Sequence, residues 1–201
     1  SVIVVGCSCF FNCVIASMAA YGFEKKHFWG KEFLFKVYML TLMIPGQVTM
    51  IPVFIIMKKL GLLNTYFALV VIILNAFGVF LIRQFMESVP DELLEAAKVD
   101  GCPEYKIFIN IVIPLIKPVL VSLVVFTFVT SWNDFMWPLV STTDSSMYTL
   151  TVALSLLKTQ YQTNYGLILA GATVSFIFPF ILYAFLQKQF VEGIALSGVK
   201  G

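Results

Sequence analysis

Charge is scarce in this chain. Of 201 residues only 12% are Asp, Glu, Lys or Arg, against roughly 25% in an ordinary soluble domain. So few charges cannot cover a water-soluble surface. With 60% apolar residues and a mean hydropathy of +0.93, both a soluble globular enzyme and a disordered chain are excluded. The net charge of +2 supplies no field for nucleic acid, so no such partner is expected. Histidine occurs once, as His27, and cysteine four times, as Cys7, Cys9, Cys13 and Cys102. Three of these cysteines lie in an apolar run, where a thiol acts as a small hydrophobe. Neither a metal site nor a disulfide is therefore expected. A phosphate-binding loop is missing too: the pair Gly30-Lys31 would need glycine at position 25, which is Lys25. No Ser or Cys nucleophile has a histidine that the sequence places within reach.

What the chain does have is apolar runs long enough to cross about 30 Å of hydrocarbon. Five stand out, at 1–21, 35–57, 67–86, 113–137 and 166–187. Their polarity does not alternate, as Val119-Leu120-Val121-Ser122-Leu123 illustrates, so helices are expected and barrel strands are not. The reading is an all-α membrane protein with about five transmembrane helices, one membrane domain covering 1–201. The apolar run at the start lacks a basic segment before it, so it does not read as a signal peptide. Lysine and arginine fix the orientation. With 22–34 facing the cytoplasm, ten basic residues fall on that side and three on the other. The C-terminus then lies inside, and residues 188–201 form a cytoplasmic tail in which Gly193 and Gly198 are expected to stop the helix. Trp132 and Trp137 would sit at the outer interface.

Polar residues inside the runs mark either a pathway or helix packing. Pro45, Gly46 and Pro52 are expected to break the second run, with Gln47 beside the break. Asn12 and Asn75 fall near the middle of theirs. Interhelical hydrogen bonding explains them as well as a substrate pathway does. Asn133 and Asp134 stand near the outer end of the fourth run, and Asp134 reads as an interfacial anchor or helix-packing group sooner than as an ion site.

The loop at 87–112 is different in kind. Between Glu87 and Glu104 it holds six acids and one base, so it stays outside the bilayer. Ser88 is expected to cap a helix with Pro90 in its first turn. Leu93, Ala96, Ala97 and Asp100 recur at helical spacing, Gly101 is the stop, and Pro103-Glu104 opens a second short helix carrying Tyr105, Ile107 and Phe108. This is either a solvated structural loop or a docking element with small residues for close approach.

Glu95-Ala96-Ala97, Gly101 after three residues, and Ile111-Val112-Ile113-Pro114 after nine more resemble the EAA motif of binding-protein-dependent ABC importer permeases. Ile113 stands where the motif usually has Leu. Met43-Ile44-Pro45, Ile51-Pro52, Gly61-Leu62-Leu63-Asn64-Thr65, Ser131-Trp132-Asn133-Asp134-Phe135 and the terminal Val199-Lys200-Gly201 extend the resemblance to the carbohydrate-importing, maltose-permease-like branch. The resemblance implies a six-span permease fold whose first span precedes Ser1, in a bacterial or archaeal cytoplasmic membrane. It implies a homologous second permease subunit, an ABC ATPase dimer, an extracellular or periplasmic solute-binding protein, and lipid around the spans. ATP and magnesium would belong to the ATPase, leaving this chain without a cofactor and without catalysis of its own. Glu95, Ala96, Ala97, Asp100, Gly101, Cys102, Pro103 and Tyr105 would form the coupling region, and Val199, Lys200 and Gly201 would reach the ATPase. Gln47, Asn75, Asn133 and Asp134 are the candidate pathway residues. The implied function is import of a sugar or sugar derivative. A permease for another solute such as glycerol phosphate, or a secondary transporter, are the rivals; the latter would need central charges that the runs lack.

Overall fold

The computed structural model describes residues 1–157 and 165–198, the side chains of Leu186 and residues 188–198 excepted. Every regular element among the described residues is helical. In chain order these are α1 (Val2–Lys25), α2 (Lys31–Leu40), α3 (Gly46–Lys59), α4 (Tyr66–Val71), α5 (Ala76–Met86), α6 (Asp91–Val99), α7 (Glu104–Ile107), α8 (Ile113–Leu115), α9 (Lys117–Asn133), α10 (Met136–Ser141), α11 (Leu150–Leu157) and α12 (Tyr165–Gly198). A π-helical turn, Phe108–Val112, joins α7 to α8, and single 3₁₀ turns lie at Thr41–Met43 and Ser145–Met147.

Two helices, Val2–Lys25 and Tyr165–Phe185 within α12, are each long and apolar enough to cross a bilayer alone. The other runs are interrupted. The second breaks at Ile44 and Pro45, both extended, because proline disfavours helical backbone in the residue before it. Gly46 and Pro52, expected to break the run as well, do not: Gly46 starts α3 and Pro52 sits inside it. The third run, 67–86, is two helices separated by Ile72–Asn75. Asn75 is therefore not mid-helix; its Oδ1 accepts the amide of Phe77 at 3.0 Å and caps α5, the competing local bond that makes Asn a poor helix interior. The fourth run bends by 77° between Leu115 and Lys117. Pro114 and Pro118 each lack an amide, so two ladder bonds are lost within one turn. The last helix continues through Gly193, where a stop was expected, and runs to Gly198.

The helices form two compact units. One draws on Ser1–Cys9, Pro45–Ile73 and Val125–Lys188. Its core gathers Met57, Ala68, Leu69, Val70 and Trp137. Trp137 Nε1 donates to the Ala68 carbonyl at 2.9 Å, and Trp132 Nε1 to that of Ser175 at 3.1 Å. Both rings are buried, 5% and 4% exposed, and protein contacts hold them. Asn64, at φ 58°, ties the α3–α4 turn to the segment after α10: its Oδ1 accepts the amides of Thr143 (2.6 Å) and Asp144 (3.1 Å).

The other unit draws on Phe10–Ile44 and Leu74–Val124, with the described part of Gln189–Gly201. Its core packs Ala16, Ala20 and Tyr21 of α1 against Val79, Ile82 and Met86 of α5, Leu94, Ile107, Val112 and Leu123. Gly78 lets α1 and α9 close on α5: a Cβ there would lie 3.2 Å from each of Ala16 Cβ, Asn12 Oδ1 and Leu123 Cδ1. Asn12, buried at the middle of α1, is part of this packing.

Candidate functional site: a two-helix corner and a polar cleft

The corner is built by α6, a left-handed turn and α7. Asp91 and Glu92 open α6 and Lys98 closes it, charges that complement the helix ends. Its N-cap is Pro90, not Ser88; Ser88 Oγ instead donates to the Phe85 carbonyl at 2.7 Å and finishes α5. At the other end Asp100 is the C-cap and Gly101 takes φ +76°. The amide of Gly101 donates to Lys98 O at 3.0 Å and that of Cys102 to Ala97 O at 2.9 Å, the paired bonds of a Schellman stop. Pro103, extended, then starts α7.

One face of α6 packs inward through Leu94, with Ala97 and Cys102 half-buried beside it. Leu93, Glu95, Ala96, Val99, Asp100, Pro103 and Tyr105 are exposed. Leu93 and Ala96 share the open face, as their spacing predicts, while Ala97 turns with Leu94 toward the core. Val99 is 87% and Tyr105 63% exposed, so this acidic corner carries an apolar surface that no described residue covers.

Charged residues at the end of α1 anchor the corner. Lys25 Nζ donates to Asp91 Oδ1 at 2.8 Å and to the Val89 carbonyl at 2.7 Å. Lys26 Nζ and the Tyr21 hydroxyl both bond Glu104 Oε1. Glu24 accepts Arg83 Nε of α5 at 2.8 Å, and Arg83 also reaches Glu32 at 3.1 Å while lying over the Phe35 ring. The Lys25 ammonium holds the Asp91 carboxyl below its ordinary range. Hydrogen bonds from Lys26 and then Tyr21 do the same for Glu104. In the sequence Lys25, Lys26 and Arg83 count only as charge on one side of the membrane, and Tyr21 and Glu24 carry no mark; a triplet of charges ending an apolar run is the available signal.

The second feature lies in the other unit, a cleft of about 510 Å³ lined by Gln47, Thr49, Asn133 and Asp134 with Met50 and Trp137 among its apolar walls. Three expected pathway residues, Gln47, Asn133 and Asp134, thus meet in one place; Asn75 is the helix cap described above and does not line it. Asp134 Oδ1 accepts the Trp137 amide at 3.5 Å, a long bond at the start of α10. Val199, Lys200 and Gly201 lie outside the described residues.

Residues 13–195 match the family described as the binding-protein-dependent transport system inner membrane component. The chain belongs to that family: it is a multi-pass permease subunit of an ABC importer. It is 39% identical over its full length to the arabinooligosaccharides transport system permease protein AraQ of Halalkalibacterium halodurans, covering 71% of that protein. Over 93% of its length it is 36% identical to the lactose transport system permease protein LacG of Rhizobium radiobacter, covering 68% of it. Its fold is similar to a chain in the crystal structure of a bacterial ABC transporter involved in the import of the acidic polysaccharide alginate. There the TM-score is 0.65 and the identity 24%, over 96% of this chain and 73% of that one.

Proposed function

We propose that this chain is a transmembrane subunit of an ATP-driven importer for a sugar or sugar derivative, and that α6 and α7 form the element that docks on a partner ATPase. The observation that carries the docking reading is the open face of Leu93, Ala96, Val99 and Tyr105. Such a surface outside the bilayer is unfavourable in water, and a protein partner would remove it from solvent. Glu95, exposed on α6, would supply a polar contact, and Gly101 would set the angle between the two short helices. ATP and magnesium would bind the ATPase, and closure of its dimer would shift α6 and α7 and reorient the spans. ATP can drive this only through its different affinity for the two conformations. A homologous second permease subunit would complete the pathway, and a solute-binding protein would deliver the substrate.

The cleft supports a neutral polyhydroxylated substrate. Amide, carboxylate and hydroxyl groups beside an aromatic wall suit sugar hydroxyls. A relative of 34% identity is the sn-glycerol-3-phosphate transport system permease protein UgpE of Yersinia pestis. Phosphate calls for Lys or Arg, and neither lines the cleft, which favours the sugar.

The experiment is uptake by the reconstituted complex, assembled with an ATPase and a binding protein from the same organism, using labelled oligosaccharides and glycerol 3-phosphate. ATP-dependent uptake of a sugar is expected. Failure to capture an ATPase, or uptake of glycerol phosphate alone, would overturn the reading.

A further inference from the structure

Three consecutive residues where α1 ends hold three different helices: Glu24 and Lys25, its last two residues, hold α5 and α6, and Lys26, the residue just past it, holds α7. Asp91 and Glu104, their acidic partners on the two short helices, are the first residues of α6 and α7. Both short helices are therefore gripped at the same end, from the last turns of α1 and the residue that follows it.

We propose that the last turns of α1 are the joint through which motion of the α6–α7 pair enters a membrane-spanning helix, with Tyr21, Lys25 and Lys26 as positioning residues. The proposal rests on the docking role of α6 and α7 given above.

The covalent route from α7 toward α9 passes the π-helical turn and a 77° bend where two prolines remove ladder bonds. A push along it is absorbed by a hinge. α1, by contrast, has no proline in its 24 residues and acts as a rod of about 36 Å at 1.5 Å per residue. The contacts to it are shielded on one side only: the Asp91 carboxylate is 71% exposed, and Lys26 and Glu104 are both partly exposed. The Lys25 side chain is only 6% exposed, and its ammonium is bound to a carboxylate and a carbonyl together. Glu104 is bound by a hydroxyl and an ammonium together, which fixes α7 in two directions. Arg83 braces the joint from α5 through Glu24. Losing one of these bonds should leave the helices folded, because Leu94, Ile107 and the rest of the core hold them by burial.

The test uses the full reconstituted complex with its ATPase and binding protein. Asp91→Asn and Glu104→Gln keep shape and remove charge. Each should lower ATP hydrolysis stimulated by the loaded binding protein about tenfold, within the usual range of coupling between sites, while assembly and basal hydrolysis hold. Lys26→Glu combined with Glu104→Lys should restore most of the stimulation. A second readout, the distance between two labels, is one that a merely structural role would not move. Spin labels at Met18→Cys on α1 and Glu92→Cys on α6, with the native cysteines replaced, should keep one separation with and without ATP. In the Asp91→Asn, Glu104→Gln double variant that separation should change on ATP binding, because α6 moves and α1 no longer follows. Normal stimulation in the variants, or a label separation that stays fixed in them, would overturn the joint and leave the docking role standing. A wild-type complex that shows no stimulation would overturn both.

Discussion

The amide of Cys102 closes on the carbonyl of Ala97 at 2.9 Å, across a glycine at φ +76°. That bond sets where α7 begins relative to α6. The backbone of Gly101 lies in the left-handed region, which costs a residue with a Cβ roughly 1–2 kcal/mol. Gly101→Val is therefore expected to displace α7 and abolish substrate-stimulated ATP hydrolysis, with normal membrane insertion. Gly101→Asn, which tolerates the same φ, should keep much of the stimulation. Nothing lies within 4 Å of a Cβ at Gly101, so the effect belongs to backbone strain and not to a clash. Hydrogen exchange across α7 distinguishes the two variants.

At Gly78 the reverse holds: backbone strain is absent and space is short. A Cβ would meet three atoms at 3.2 Å, drawn from α1 and α9. Gly78→Leu should destabilise the subunit by about 1–3 kcal/mol through overpacking, and Gly78→Ala by less. Thermal unfolding in detergent, compared with Phe80→Leu at the exposed neighbour on α5, measures it.

Asp91 and Glu104 predict a dependence on acid. Both carboxyls titrate below their ordinary values of 3.8 and 4.5 in the folded chain, held down by Lys25 and by Lys26 with Tyr21. A lowered folded value stabilises the fold above the unfolded value and is lost as pH falls through the folded one. The anchoring of α6 and α7 should thus be complete at neutral pH and begin to fail only below pH 4.5. Amide exchange in both helices, corrected for the intrinsic rate, should rise there in the wild type. It should stay level in the Asp91→Asn, Glu104→Gln variant.

The orientation is checked at Cys102. It is half-buried beside Ala97, and Val99 is 87% exposed. A membrane-impermeant maleimide should label Cys102 from the cytoplasmic side of the free subunit. It should label Val99→Cys faster, in a background where Cys102 is Ser. Labelling of either from outside intact cells would reverse the topology.

How much of this was legible in the chain itself follows the range of the interaction. Helix, glycine stop and second helix at 91–107 are local, and their signals lie within a few residues of their effects. Gly101 and Pro103 do what their chemistry predicts. The break at Pro45 was legible for the same reason. Ser88 misled because two helix ends compete for it, and α5 takes its hydroxyl through Phe85. Asn75 misled because an apolar run was read as one helix when it is two, and Asn75 caps the start of the second. The pairings of Lys25 with Asp91 and of Lys26 with Glu104 bridge 66 and 78 residues. No local pattern marks such partners, and only the packing of α1 on α5 brings them together. Gln47 met Asn133 and Asp134 by a similar long-range closure, and there the expectation rested on polarity alone.

The three tryptophans fall in unlike places: Trp132 and Trp137 are buried with bonded indoles, while Trp29 is 98% exposed, four residues beyond Lys25. The natural fluorescence of the chain is thereby already divided. A water-soluble quencher can extinguish the Trp29 emission and leave the other two rings glowing, so a built-in lamp stands beside the joint. Its brightness can be followed through a transport cycle without adding a single label.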